Sequence, residues 1–304
     1  MIAAELQNNP SISQFLETQL QLFKGHFIVT QATMDEEAIH KMRLAIKRIR
    51  TIRKMKKHIH FSASLDKSAF DTIKSIFKVS GLMRDLQIQI GLMAQYSIEI
   101  KTSFTLFMNY FAEKEKYYGE MLDKTIHKIK SDQFNNLHTT PENDFNFIDN
   151  QGIENQSLDF ISFQIRKIKK LIVNPANDEN VHELRKLVKQ LYYLLQFLNN
   201  YFPECCLAKY DTGNLRTIGD NLGHWHDRVV LKERVLEFAG NMGENFILKN
   251  PEYQILLYIL EDEKRKLLKG LDVNLYLETI NLRYLLGERA PEKSRPESKS
   301  IPLT

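Results

Sequence analysis

Between Pro10 and Pro141 the chain contains no proline, and only Gly25, Gly81, Gly91 and Gly119 interrupt that stretch. Proline ends or kinks a helix because it lacks an N–H and clashes with the preceding turn, and glycine inside a helix costs about 1 kcal/mol relative to alanine. A stretch so poor in breakers favours long helices, and no segment alternates polar and apolar residues between hairpin turns. The apolar spacing agrees. Phe15, Leu16, Leu20, Phe23 and Phe27 fall on one helical face, and Ile39, Met42, Ile46 and Ile49 on another. Asp35 and Glu36 stand at the start of the second, where negative charge complements the helix dipole. Further helices are expected over residues 64–96, 102–130, 157–173, 178–201, 205–241 and 251–269.

A shift of 142 positions superposes the chain on itself. His40 falls on His182, Arg43 on Arg185, Lys47 on Lys189, Lys67 on Lys209, Lys74 on Arg216, Gly81 on Gly223 and Asp85 on Asp227. The apolar face of Ile39, Met42, Ile46 and Ile49 falls on Val181, Leu184, Val188 and Leu191. One fixed offset that aligns polar and apolar positions over several helices marks an internal repeat. The chain is therefore read as a first four-helix half (8–137), a polar linker (138–156), a second four-helix half (157–272) and a C-terminal extension (273–304) whose end is expected to be disordered.

Residues 39–57 hold nine Lys or Arg and no acid. At about 100° per residue, His40, Arg43, Lys47, Arg50, Lys54 and Lys57 form one stripe beside the apolar one. A merely solvated face would mix signs, because opposite charges four residues apart help a helix and like charges oppose it. Here the like pairs recur, and the spacing of His, Arg and Lys returns in VHELRKLVKQL. Lys67, Lys74, Lys78, Gly81 and Asp85 make a second stripe, echoed by Lys209, Arg216, Gly223 and Asp227. The glycines imply close approach of a neighbouring helix, and the aspartates read as partners that hold a basic side chain. Arg presents a planar fork to phosphate oxygens, Lys a mobile point charge, and a His beside them can donate to an anion. The stripes carry no aromatic platforms for bases. Tyr192, Tyr193 and Phe197 lie near them only in the second half, where core packing is the expected role. Such surfaces suit a long polyanion made of phosphate without bases.

The segments Ile39-His40-Lys41-Met42-Arg43 through Arg50 and Val181-His182-Glu183-Leu184-Arg185 through Lys189 resemble the signature of the CHAD domain, the conserved histidine α-helical domain. Gly81-Leu82-Met83-Arg84-Asp85 and Gly223-His224-Trp225-His226-Asp227 resemble its second signature. The likeness runs over residues 8–272. It implies an all-α fold of two pseudo-symmetric antiparallel four-helix bundles around a basic groove or pore, and binding of inorganic polyphosphate without catalysis or cofactor. By motif position it implies a site of His40, Arg43, Lys47, Arg50, Lys67 and Lys74 with His182, Arg185, Lys189, Lys209 and Arg216. Polyphosphate granules are an implied partner. The repeat mates of Arg48, Arg50 and Arg84 are Gln190, Tyr192 and His226, so the first half is expected to dominate the site.

Composition bears on the rivals. Over 304 residues, 42 Lys and Arg stand against 38 Asp and Glu, a net charge of +4 that by itself argues against a polyanion binder; the clustering argues the other way. A nucleic-acid binder is one alternative. A metal phosphohydrolase of the His-Asp type, using His226-Asp227 with His182 and Asp262, is another; its weakness is that His226 repeats Arg84, which is no metal ligand. The adjacent Cys205 and Cys206 make no disulfide framework. The apolar runs are too short for a membrane helix and the first residues show no leader pattern, so a cytoplasmic protein without membrane partners is expected.

Overall fold

The computed structural model describes residues 12–58, 67–129, 150–172, 177–201, 212–269 and 271. The described residues are helical without strands: α1 (Ile12–Thr33), α2 (Glu36–His58), α3 (Lys67–Ile100), α4 (Thr105–His127), α5 (Asn150–Ile172), α6 (Asp178–Tyr201), α7 (Gly213–Met242), the single turn α8 (Phe246–Lys249) and α9 (Pro251–Lys269). None of these helices is long and apolar enough to cross a membrane.

The repeat is visible in the helix ends. The starts of α2 and α6, the ends of α3 and α7, and the ends of α4 and α9 each lie 142 residues apart. The caps repeat too. Asp35 Oδ1 accepts the Ala38 N–H at 2.7 Å, and its mate Asn177 accepts the Asn180 N–H at the same distance. Each satisfies one of the donors that a helix start leaves without a partner.

Consecutive helices pack in pairs, α1 on α2 and α5 on α6, then α3 on α4 and α7 on α9. α2 also packs directly on α6. The apolar faces expected from the sequence are buried, Leu20, Phe23, Ile39, Met42, Ile46 and Ile49 completely so. The repeats nevertheless do not each wrap a private core. One apolar cluster joins α1, α2, α5 and α6 to the end of α4 and to the early and middle turns of α3 and α7, with Leu122, Trp225 and Phe197 among its members. The other joins the later turns of α3 and α7 to α4 and α9, around Phe107, Phe111, Phe238 and Tyr253. The long helices α3 and α7 thread both. At the second core, Tyr96 Oη donates to Glu263 Oε2 at 2.6 Å and Arg228 Nε donates to the same oxygen at 2.8 Å, which ties α3, α7 and α9 together.

Two expectations are corrected. α5 begins at Asn150, so the last seven residues assigned to the linker belong to a helix. Gly223 has open space where a Cβ would stand, so it is not a point of close approach. Cys205, Cys206, Lys209 and the extension 273–304 lie outside the described residues.

Candidate functional site

Because α2 packs on α6, their polar stripes converge. With α3 and α7 they enclose a cavity of about 680 Å³. Its cationic lining is Arg43, Lys47, Arg50, Lys54 and Arg84 from the first repeat and Arg185, Lys186 and Lys189 from the second. Asp85, Asp220 and Asp227 are its acids, and His40, His224 and His226 its imidazoles. Three cations are neutralised at the rim: Arg84 by Glu36, Lys186 by Glu183 at 2.6 Å, and Lys189 by Asp220 at 2.8 Å. The other five close no ion pair within 4.0 Å among the described residues, and the buried Nε of Arg185 has no hydrogen-bond acceptor.

Arg43 is held most firmly. Its Nη1 donates to the Phe77 carbonyl oxygen at 2.6 Å and to Ser80 Oγ at 3.2 Å. Its guanidinium lies 4.4 Å from the centre of the Phe77 ring, and that of Arg50 lies 4.7 Å from it. Gly81 makes this possible, since a Cβ there would stand 3.0 Å from Arg43 Nη1. In the second repeat the equivalent clearance comes from Gly219, where a Cβ would stand 3.2 Å from Lys189 Cε. The shift by one turn from Gly223 accompanies Asp220, which binds Lys189 and whose repeat mate is Lys78.

A family model for the CHAD domain matches residues 14–236. The chain belongs to the CHAD domain family. The crystal structure of the CHAD domain from the plant Ricinus communis is similar to it at a TM-score of 0.59 and 15% identity, over 92% of each chain. At that identity the likeness speaks for the fold. No curated protein matches the chain.

Of the CHAD positions expected from the motifs, His40, Arg43, Lys47, Arg50, Arg185 and Lys189 line the cavity. His182 does not line it; its ring stands 4.8 Å from that of His226, which does. Lys74 lies two turns before Gly81, exposed and outside the lining. Arg216 is also outside, with its Nε 3.7 Å from Asp220. The side chain of Lys67 and the whole of Lys209 fall outside the described residues. Sequence reasoning omitted Lys54, Arg84, Lys186 and Phe77 from the site. Lys54 stands on the α2 stripe and Arg84 in the second signature, so the signal for both was present. Nothing in the sequence marks Phe77, because its role depends on how α3 crosses α2. Asp262, invoked for the metal alternative, pairs with Lys266 and Arg265 of its own helix and is absent from the cavity lining.

Burial sets the electrostatics. Lys47 is pushed down to about 8 by desolvation first, then by Arg43, Arg185 and Lys189, with Asp85 opposing. Arg43 is pushed down to about 10, again by desolvation first, and remains charged at neutral pH. Desolvation also lowers Arg50 and Lys54. His226 falls to about 3 through desolvation and then Arg185, so it is neutral. His40 and His182 are lowered for the same first reason. His40, His182 and His226 thus present neutral rings at neutral pH, and the positive charge beside them comes from Lys and Arg. Asp227 is raised by burial, with Arg185 opposing. Neither Asp85 nor Asp227 closes an ion pair within 4.0 Å among the described residues, so their hold on Arg43 and Arg185 acts through space.

Proposed function

We propose that this CHAD domain holds inorganic polyphosphate in the cavity between α2 and α6 and acts as a non-catalytic binding protein. The observation that carries the reading is the convergence of Arg43, Lys47, Arg50, Lys54 and Arg185, without ion pairs among the described residues, on one 680 Å³ space. Partly desolvated cations repel one another and lack part of their hydration, so an anion placed among them recovers both terms. Arg43 and Arg50 are aimed by Phe77 and by the α3 backbone, which reduces the ordering cost of binding. A single-stranded nucleic acid would gain from stacking surfaces, whereas the Phe77 ring is already covered by guanidinium and Tyr193, although it lines the cavity, is only 8% exposed. The setting this implies is a cytoplasmic protein associated with polyphosphate granules.

Metal-free calorimetric titration with polyphosphates of several lengths tests the reading. Saturable binding that weakens steeply with salt is expected. A flat trace at low salt refutes it. Displacement of long-chain polyphosphate by DNA at equal phosphate concentration favours the nucleic-acid alternative.

A further inference from the structure

The two outer helices α1 and α5 are repeat mates with different surfaces. Each buries one apolar stripe, with Phe23 and Phe27 in α1 and Ile161, Ile165 and Ile168 in α5. Outside those stripes the last turns of α1 present Ile28, Val29 and Ala32, whereas α5 presents Arg166, Lys167 and Lys170 at the same helical spacing. All six are exposed. One face is therefore apolar and the other carries three cations, which close no ion pair among the described residues.

The cationic face starts where the cavity ends. α5 packs against both α2 and α6. Lys54, which lines the cavity, lies one turn before His58 at the end of α2. The His58 ring stacks on Phe163 of α5 at 4.7 Å, and Lys167 Nζ stands over that Phe163 ring at 4.3 Å. One pair of rings thus separates the last turn of α2 from Lys167. Lys170 and Arg166 continue the face at helical spacings of three and four residues. The proximity is also felt electrostatically, because Lys167 and Lys186 both act to lower Lys54.

We propose that Arg166, Lys167 and Lys170 of α5 form a second anion-binding segment, which receives the polyphosphate chain where it leaves the cavity past Lys54. The inference rests on the polyphosphate reading of the cavity and extends it. Cavity and α5 face make one continuous track, so the favoured ligand is a polymer longer than the cavity can hold, and short oligophosphates use the cavity alone.

The test compares tripolyphosphate with a chain of roughly one hundred phosphates, using the full-length protein. The triple variant Arg166→Gln, Lys167→Gln, Lys170→Gln is set against Lys116→Gln and Lys124→Gln on α4 with Lys128→Gln just past its end, which removes the same charge from other exposed positions. The α5 variant is expected to bind tripolyphosphate within about twofold of the unmodified protein while losing tenfold or more for the long chain. Its long-chain salt slope should fall by about 2, at 0.7 or more per lost phosphate contact. The α4 variant is expected to change neither. Equal losses for both lengths, long-chain binding left intact, or the same losses in the α4 variant overturn the α5 segment. If the unmodified protein binds neither phosphate, the cavity reading itself fails.

Discussion

Lys47 makes anion binding by this protein proton-linked, and the size of the linkage follows from its surroundings. Its ammonium falls from an ordinary 10.5 to about 8 because burial strips its water and Arg43, Arg185 and Lys189 repel it. That difference corresponds to about 3 kcal/mol of penalty on the charged form. The folded value lies below the unfolded one, so the penalty weighs on the native state in full below about pH 8 and disappears as pH rises toward 10.5. The free protein accordingly gains stability over that interval from this residue. A polyanion beside Lys47 returns it toward its ordinary value, and the complex takes up a proton. At pH 8 the uptake is about 0.5 proton per complex, and between pH 7 and pH 9 the affinity falls about tenfold from this group alone. His40 and His182 are already lowered and neutral in that range, so they add little to the signal. Calorimetry at pH 8 in buffers of different ionisation enthalpy measures the uptake directly, and long-chain polyphosphate suits it because interior phosphates carry no proton there. Lys47→Arg keeps the charge and abolishes the uptake, since guanidinium stays protonated. An apparent enthalpy independent of buffer at pH 8, or an undiminished uptake in Lys47→Arg, refutes the reasoning.

Reversing Arg43, Lys47, Arg185 and Lys189 together to Glu is expected to abolish polyphosphate binding while circular dichroism retains the full helical signal; loss of helix would assign these residues to the fold. Gly223→Ala should raise stability by about 0.5–1 kcal/mol in urea unfolding, because a Cβ there meets nothing and alanine is the better helix former. Gly81→Ala should give no such gain and should weaken polyphosphate binding several-fold, since its Cβ would stand 3.0 Å from Arg43 Nη1 and displace the guanidinium. Glu263→Leu leaves Tyr96 and the 16% exposed Arg228 without their acceptor, and a loss of about 2–3 kcal/mol in the urea midpoint analysis is expected.

The sequence reads well wherever helix geometry alone decides position. The stripe of His40, Arg43, Lys47, Arg50 and Lys54 could be drawn on a wheel, and all five line the cavity. The repeat also shows in the caps, because capping is local: Asp35 and Asn177 do the same work 142 residues apart. What depends on how helices cross was not legible. Lys74 and Arg216 occupy the same helical stripe as Gly81 and Gly223, yet they fall outside the cavity because it opens opposite the middle turns of α3, from Phe77 to Ile88, and the turns of α7 from Asp220 to Asp227. Repeat equivalence, moreover, says which residues correspond and nothing about which ones touch. The two cores therefore cut across the halves, each taking helices from both. The shift from Gly223 to Gly219 has the same origin: it follows the Lys189 side chain, which Asp220 draws to one side.

A net charge of +4 conceals how unevenly the charges lie. Two cations 7 Å apart repel by about 2 kcal/mol at an effective dielectric of 20, so the α2 stripe opposes its own folding by several such terms. Ile39, Met42, Ile46 and Ile49, all fully buried on the adjoining face, offset them at about 1.5–3 kcal/mol each. The acids that could have quenched the stripe are placed at its rim, on Arg84, Lys186 and Lys189, or elsewhere, where Asp178 at the start of α6 holds Lys264 and Glu261 and Asp262 of α9 hold Lys232 and Lys266. Since none of them reaches Lys47, Arg50 or Arg185 within 4.0 Å among the described residues, the fold leaves that repulsion in place. Its relief is then available only to an anion from outside. On that account, binding and native-state stability draw on the stripe's charge with opposite sign: a substitution such as Lys47→Met, which removes a buried charge from α2, is expected to strengthen the free protein and weaken the complex.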